Sequence, residues 1–166
     1  CEVNDLGIIK DNYSETKKLI LNKIKSLDVI ITSGGISKSK TDKIGKFFEN
    51  NAQIKFWRLS IKPGRPFAFG KIKNTPFIGL PGNPVAAMIT FFMLVIDYIK
   101  VLSGLKQKQT IERILPCDFE MKKRKGRTEW LRGMIIKKKN LYFLTKFVST
   151  GSGIISSISQ SHGIIE

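Results

Sequence analysis

Three short stretches of this chain combine residue types that handle anions. In Thr32-Ser33-Gly34-Gly35-Ile36-Ser37, two glycines sit between hydroxyl residues. Lacking Cβ atoms, the glycines let the backbone turn its N–H groups toward a negative charge, and Ser37 can add a hydroxyl. The pair also reads as a plain tight turn. Pro81-Gly82-Asn83-Pro84 reads as a helix start, with Asn83 at the N-cap and Pro84 at the first helical position. The amides of Val85 and Ala86 then stand at the positive end of a helix dipole. Lys62 and Arg65 lie three apart in Lys62-Pro63-Gly64-Arg65-Pro66, a loop stiffened by its prolines. Cations pre-organised in this way lose less entropy on meeting an oxyanion than cations on a mobile helix surface.

Two acids stand out in so basic a chain. Asp11 and Asp42 both follow predicted strands, and paired carboxylates at the rim of a phosphate site are a common way to hold Mg²⁺. Each Asp also reads, taken singly, as a helix N-cap. His162 is the single histidine and lies in a Ser/Gly-rich segment with no triad partner in view. Cys117 falls in a predicted β run and reads as a small core residue rather than a nucleophile. Cys1 and Cys117 form neither a disulfide framework nor a zinc spacing, which points to a reducing cytoplasm.

The elements that must position these residues follow from the pattern of apolar positions. Residues 2–9 read as a strand. Asn12 then caps a helix with Glu15 three residues on and an apolar stripe of Leu19, Ile20, Ile24 and Leu27. The β-branched run at 28–32 predicts a buried parallel strand ending at the glycine turn, where open α/β sheets bind ligands. A helix over 42–50 and a strand over 53–60 follow, and then the proline-glycine loop, which excludes regular structure. A hairpin-like pair turns at Lys73-Asn74, and a long apolar helix runs from Pro84 to about Leu102. Strand–helix alternation of this kind predicts a three-layer α/β/α domain with a mainly parallel sheet. After Lys106 helical patterning fades. Short β runs at 112–120, 128–137 and 141–149, separated by Lys125-Gly126 and Lys139-Asn140, predict a small β domain over 107–166 behind an α/β domain over 1–106.

Composition narrows the classes. The 166 residues are 42% hydrophobic and 25% charged, too apolar for a disordered chain. No signal peptide opens the sequence, and Asp97 interrupts the longest apolar run, so no membrane role is expected. The net charge of +16 calls for an anionic partner. Its make-up, 23 Lys and only 6 Arg beside 24 Ile, is also what an AT-rich genome produces in any protein. Base readers favour Arg, and the aromatics are not interleaved with the basic residues as in single-strand binders. Nucleic acid is therefore not expected as the partner.

Together the stretches resemble the MoeA/gephyrin E-domain family of molybdopterin molybdotransferases. The resemblance rests on Gly7-Ile8-Ile9-Lys10-Asp11, on Thr32-Ser33-Gly34-Gly35-Ile36-Ser37 running on to Asp42, on Ile61 through Gly70, and on Leu80-Pro81-Gly82-Asn83-Pro84-Val85. It continues into Gly126-Arg127-Thr128-Glu129-Trp130-Leu131-Arg132-Gly133 and Thr150-Gly151-Ser152-Gly153, which look like the family's C-terminal β-barrel. By resemblance, the substrates are adenylylated molybdopterin and molybdate, the phosphoanhydride is cleaved, AMP leaves and molybdenum stays on the dithiolene. Asp11, Asp42, Lys62 and Arg65 are implied as catalytic residues, with Asp11 and Asp42 serving Mg²⁺. Ser33, Gly34, Gly35, Ser37 and Pro66 are implied in substrate binding, as are Pro81, Gly82, Asn83 and Pro84. Arg132 and Ser152 would reach over from the β domain toward molybdate. A homodimer is implied for the longer chain, and the upstream adenylyltransferase is a further partner.

The resemblance also marks departures. Ser39 stands where the family usually has Gly, Arg65 where Lys is common, and Ala86 where many members carry Ser. The family's opening strand and helix, with a Thr-Gly-(Asp/Ser)-Glu turn, have no counterpart before Cys1, so the chain is expected to be a fragment that is inactive alone. Two other readings share some of these features: a molybdopterin adenylyltransferase-like enzyme and a non-enzymatic, gephyrin-like binding module.

Overall fold

The computed structural model describes residues 1–9, 12–36, 43–106, 111–148 and 153–166. Helix α1 (Tyr13–Lys23) begins where the Asn12 side chain accepts hydrogen bonds from the amides of Ser14 and Glu15, satisfying two of the orphan donors of a first turn. It leads through a 3₁₀ turn (Ile24–Ser26) to β1 (Ile30–Ser33). Helix α2 (Lys43–Asn51) runs directly into β2 (Ala52–Arg58). Next come β3 (Ile61–Lys62), β4 (Pro66–Ile72) and β5 (Thr75–Leu80). The long apolar helix is α3 (Pro84–Thr90), a wider π-type stretch (Phe91–Val95) and α4 (Ile96–Leu102). The later chain holds β6 (Thr128–Glu129), β7 (Leu131–Lys138), β8 (Leu141–Lys146), the short α5 (Ser156–Ser159) and β9 (Gly163–Ile165).

The main sheet has strand order β1-β5-β4-β2. It is mixed rather than mainly parallel: β1 pairs with β5 in parallel, whereas β5–β4 and β4–β2 are antiparallel. The reason is local. Ile72 faces Thr75 across a two-residue turn, with Lys73 at φ 54°, and so short a link permits only antiparallel neighbours.

Both faces of this sheet are covered, as a three-layer arrangement requires. Successive residues alternate faces. Phe77, Ala68 and Ile72 pack with Ile20, Ile24, Phe47 and Phe48 of the first two helical segments, and the Phe48 and Phe77 rings stack with centroids 3.8 Å apart. Phe67, Ile78 and Leu80 meet Ala87 and Val95 on the opposite face. The Pro84–Leu102 helix is long and apolar enough to cross a membrane by length and composition; here its buried face covers the sheet.

The β half is a three-stranded antiparallel sheet of order β8-β7-β9. Lys139 and Asn140 both take positive φ, the twist that suits a two-residue hairpin loop. Backbone pairing and apolar contact both join it to the α/β half. Strand β3 pairs in parallel with β6, and Val85 and Ile89 of α3 cluster with Trp130.

Four expectations are corrected. Residues 2–9 form no strand: Gly7 turns at φ 70° and its amide donates to Asp5 Oδ1, a local turn that competes with extended pairing. The strand expected over 28–32 lies at Ile30–Ser33; it pairs in parallel with β5 but stands at the edge of the sheet among the described residues, and Ile31 is exposed. Residues 112–120 contribute only a bridge between Cys117 and Leu144, because Pro116 has no amide to donate, and Cys117 is exposed rather than in a core. The proline-glycine loop is not wholly irregular, since Ile61 and Lys62 pair with β6 and Pro66 opens β4.

Candidate functional site: a basic cleft between the two halves

At the carboxyl ends of the parallel pair β1 and β5, two turns meet. Gly34 donates its amide to Leu80 O at 3.0 Å, and Ser33 Oγ donates to Pro81 O. Gly34 and Gly35 adopt φ 84° and 65°, which excludes most side chains. A Cβ placed on Gly82 would lie 3.4 Å from Gly34 Cα, so the glycine turn and the Pro81-Gly82 turn abut each other. The far side of the glycine turn is anchored where Trp57 Nε1 donates to Ile36 O at 2.8 Å.

Helix α3 starts at the second turn. Asn83 Oδ1 accepts from the Ala86 amide at 3.2 Å, and Asn83 O accepts from the Ala87 amide, the N-cap geometry that the residue types demand. Asn83 and Ala86 also line one wall of a cleft of about 650 Å³, within the size range of small-molecule and cofactor sites. That wall continues through Lys62, Arg65 and Pro66. The rest of the lining comes from the β half, with Arg124, Lys125, Arg127, Glu129, Arg132 and Lys146 among its side chains.

The cleft is strongly positive. Seven basic side chains line it against a single acid, Glu129, among the described residues. Glu129 is buried, with 6% exposure, and serves two cations. Arg127 reaches its Oε1 through Nη2 at 2.7 Å and Nε at 2.8 Å, while Lys62 Nζ stands 3.4 Å from Oε2. The Arg127 hydrogen bond is the chief reason that the carboxyl is held below its ordinary range, with Lys62 adding to it. Arg132 is buried in β7, and that burial pushes its guanidinium below the ordinary value. An oxyanion entering such a space meets one cation already desolvated, Arg132, whose attraction is less screened than that of exposed Lys62 and Arg65.

The sequence-derived site residues therefore divide. Lys62, Arg65, Pro66, Asn83 and Arg132 line the cleft. Ser33, Gly34, Gly35, Pro81, Gly82 and Pro84 belong to the two abutting turns beside it and are not among its lining residues. Asp11, Ser37, Asp42 and Ser152 lie outside the described residues, as does Ser39. Among the described residues no group of three His, Cys, Asp or Glu side chains stands close enough to hold a metal. Sequence reasoning overlooked the roles of Arg124, Lys125, Arg127, Glu129 and Lys146 in this wall. The signal was the basic run from Lys122 to Arg127, which reads as solvated surface until β6 is paired with β3. His162, for its part, accepts from the Ile135 amide at Nδ1, a structural use.

An α/β layer and a small β sheet that together line one cleft rich in cations make up the architecture of this chain. The sequence matches the family described as a probable molybdopterin binding domain over residues 1–101, and the MoeA C-terminal region (domain IV) over residues 115–166. The chain belongs to the molybdopterin-binding domain family. Among its relatives, molybdopterin molybdenumtransferase of Haemophilus influenzae is 43% identical over 134 residues, covering 80% of this chain and 33% of that protein. The molybdenum cofactor synthesis protein cinnamon of Drosophila melanogaster is 30% identical, covering 93% of this chain and 25% of its own length. The chain thus spans between a quarter and a third of these relatives. In fold it is similar to the molybdopterin biosynthesis MoeA protein of Pyrococcus horikoshii, with a TM-score of 0.67 at 20% identity over 94% of this chain and 35% of that one.

Proposed function

We propose that this chain is the substrate-handling part of a molybdopterin molybdotransferase, which inserts molybdate into adenylylated molybdopterin and releases AMP in molybdenum cofactor synthesis. The observation that carries the proposal is the cleft itself. Lys62, Arg65 and Arg132, from two separate halves of the chain, line one basic cavity next to the start of α3. In that setting Lys62 and Arg65 hold the molybdate dianion, Arg132 completes its counter-charge from the β side, and the turns at Ser33-Gly34-Gly35 and Pro81-Gly82-Asn83-Pro84 bind the pterin nucleotide. Positive groups fixed in place before reaction stabilise negative charge that builds up on the oxygens as the phosphoanhydride breaks. Ser37 and Ser152 belong to the same reading as hydroxyl donors, and Asp11 and Asp42 as the carboxylates for Mg²⁺.

The proposed unit has an α/β domain over residues 1–106 and a β domain over 107–166. The whole protein acts as a homodimer in the cytoplasm and receives its substrate from the adenylyltransferase of the preceding step. The test is molybdate-dependent release of AMP from adenylylated molybdopterin by the whole protein that carries this chain. Release above a molybdate-free control is the expected result, and its absence overturns the proposal.

A further inference from the structure

Several basic side chains of the cleft have no part in the function just proposed, and all come from the β half. Arg127 is committed to Glu129. Lys146 leans over the Phe119 ring at 5.4 Å and donates to Glu120 O. Arg124 and Lys125 differ. Both line the cleft, both are exposed, and neither pairs with an acid among the described residues. Their loop nevertheless has a firm base. Gly126 turns it at φ 81°, after which Arg127 is tied to the buried Glu129 and Thr128 donates its amide to Ser60 O at 2.9 Å. The loop is thus attached directly to the chain that leads into Lys62.

We propose that Arg124 and Lys125 form a second anion subsite of the cleft, separate from the Lys62–Arg65 pair, for a phosphate-bearing group. Its ligand is the diphosphate bridge of the nucleotide-linked substrate, and after cleavage the phosphate of the mononucleotide. The assignment rests on the function proposed above. A cavity of about 650 Å³ is far larger than one tetrahedral oxyanion needs. Its cations come from two separate stretches of the chain, with the one acid among the described lining residues placed between Lys62 and Arg127. The two stretches suit different anions. A compact dianion fits the short proline-stiffened loop, where Lys62 and Arg65 lie three residues apart. A diphosphate spreads its charge along a chain and suits two adjacent long side chains, one of them an Arg fork that can meet two phosphate oxygens at once. Unpaired like charges around one cavity repel each other, and a bound polyanion relieves that repulsion.

The experiment uses the whole protein carrying Arg124→Ala and Lys125→Ala together, compared with wild type and with Lys62→Ala. Calorimetry measures binding of inorganic pyrophosphate, of AMP and of molybdate. Because both residues are exposed, the double variant is expected to melt like wild type. Its affinity for pyrophosphate and AMP falls at least about tenfold while molybdate affinity stays within about twofold, as loss of charge-assisted phosphate contacts alone would give. Lys62→Ala gives the reverse pattern. Unchanged pyrophosphate and AMP affinity in the double variant overturns the subsite, and so does an equal loss of molybdate affinity, which would mean one shared anion site. Wild-type protein that releases no AMP, yet binds pyrophosphate through Arg124 and Lys125, would overturn the proposed reaction and leave the subsite standing.

Discussion

Glu129 is an acid on a wall of cations, and its side chain explains why the two halves meet as they do. The carboxylate is buried, bonded to Arg127 through Oε1 and to Lys62 through Oε2. Because its folded pKa lies below the ordinary value of 4.5, the charged form is favoured by folding. Its contribution to stability is fully present above the unfolded pKa and is lost as pH falls through the lowered folded value. Glu129→Gln should therefore cost about 1–2 kcal/mol at neutral pH, the range for a charge-assisted hydrogen bond partly replaced by a neutral one. Urea melts from pH 7 down to pH 3 should show the gap from wild type narrowing below about pH 4.5. A gap that stays constant over that interval would show that the charge of Glu129 does not matter. At this scale the site was partly legible. Asn83 announced itself as a cap, and Lys62 and Arg65 by their stiff loop. Arg127 and Glu129 did not, because their partner Lys62 is 67 residues from Glu129 in sequence.

The loop between β2 and β4 shows how an element acquires its shape from its neighbour. Gly64 adopts φ 106° and presses against α3, and a Cβ added there would lie 2.2 Å from Thr90 Cγ2. Thr90 cannot yield. It is fully buried and its hydroxyl donates to the carbonyls of Ala86 and Ala87, one turn back in the helix. Gly64→Ala should cost about 2–4 kcal/mol through backbone strain and overpacking, and should displace Lys62 and Arg65 from their wall. Adding Thr90→Ser, which removes the clashing methyl and keeps the hydroxyl, should recover part of that loss in thermal melts. No recovery would locate the cost in the backbone alone. The glycine and prolines of this loop were visible as stiffness in the sequence. That Ile61 and Lys62 would pair with β6 was not, because a two-residue strand has too few alternating positions to declare a partner.

Across the whole molecule, the α/β half and the β half are joined by a short parallel ladder, the Lys62–Glu129 ion pair and an apolar cluster. Trp130, 6% exposed, packs with Val85 and Ile89 of α3, and Ile61, Leu94, Ile158 and Ile164 surround them. Trp130→Ala removes a large buried ring from the junction and should cost about 3–5 kcal/mol. In the wild-type 166-residue chain, tryptophan fluorescence and backbone circular dichroism should follow one urea transition. In the variant, fluorescence reports Trp57 of the α/β half alone, and the dichroism should gain an earlier phase from the β half that Trp57 does not follow. Coincident curves in Trp130→Ala would show that the halves do not rely on this cluster for their coupling.

What the sequence by itself determined is local chemistry. Asn12 and Asn83 cap helices because their side chains reach the nearest free amides. Lys73-Asn74 and Lys139-Asn140 make turns because two residues suffice to reverse the chain. Alternation of Phe67 with Ala68 and of Phe77 with Ile78 covers a sheet on both faces. Each of these depends on a few neighbouring residues, so each can be read from them. Only the tertiary structure decided that the sheet is mixed, that residues 2–9 form no strand, and that Arg124, Lys125 and Arg127 line the same cleft as Lys62. Those outcomes depend on which distant backbone donors and acceptors pair, and on whether a charged side chain meets solvent or another wall of the same protein. Residue type carries no record of either until the chain is folded.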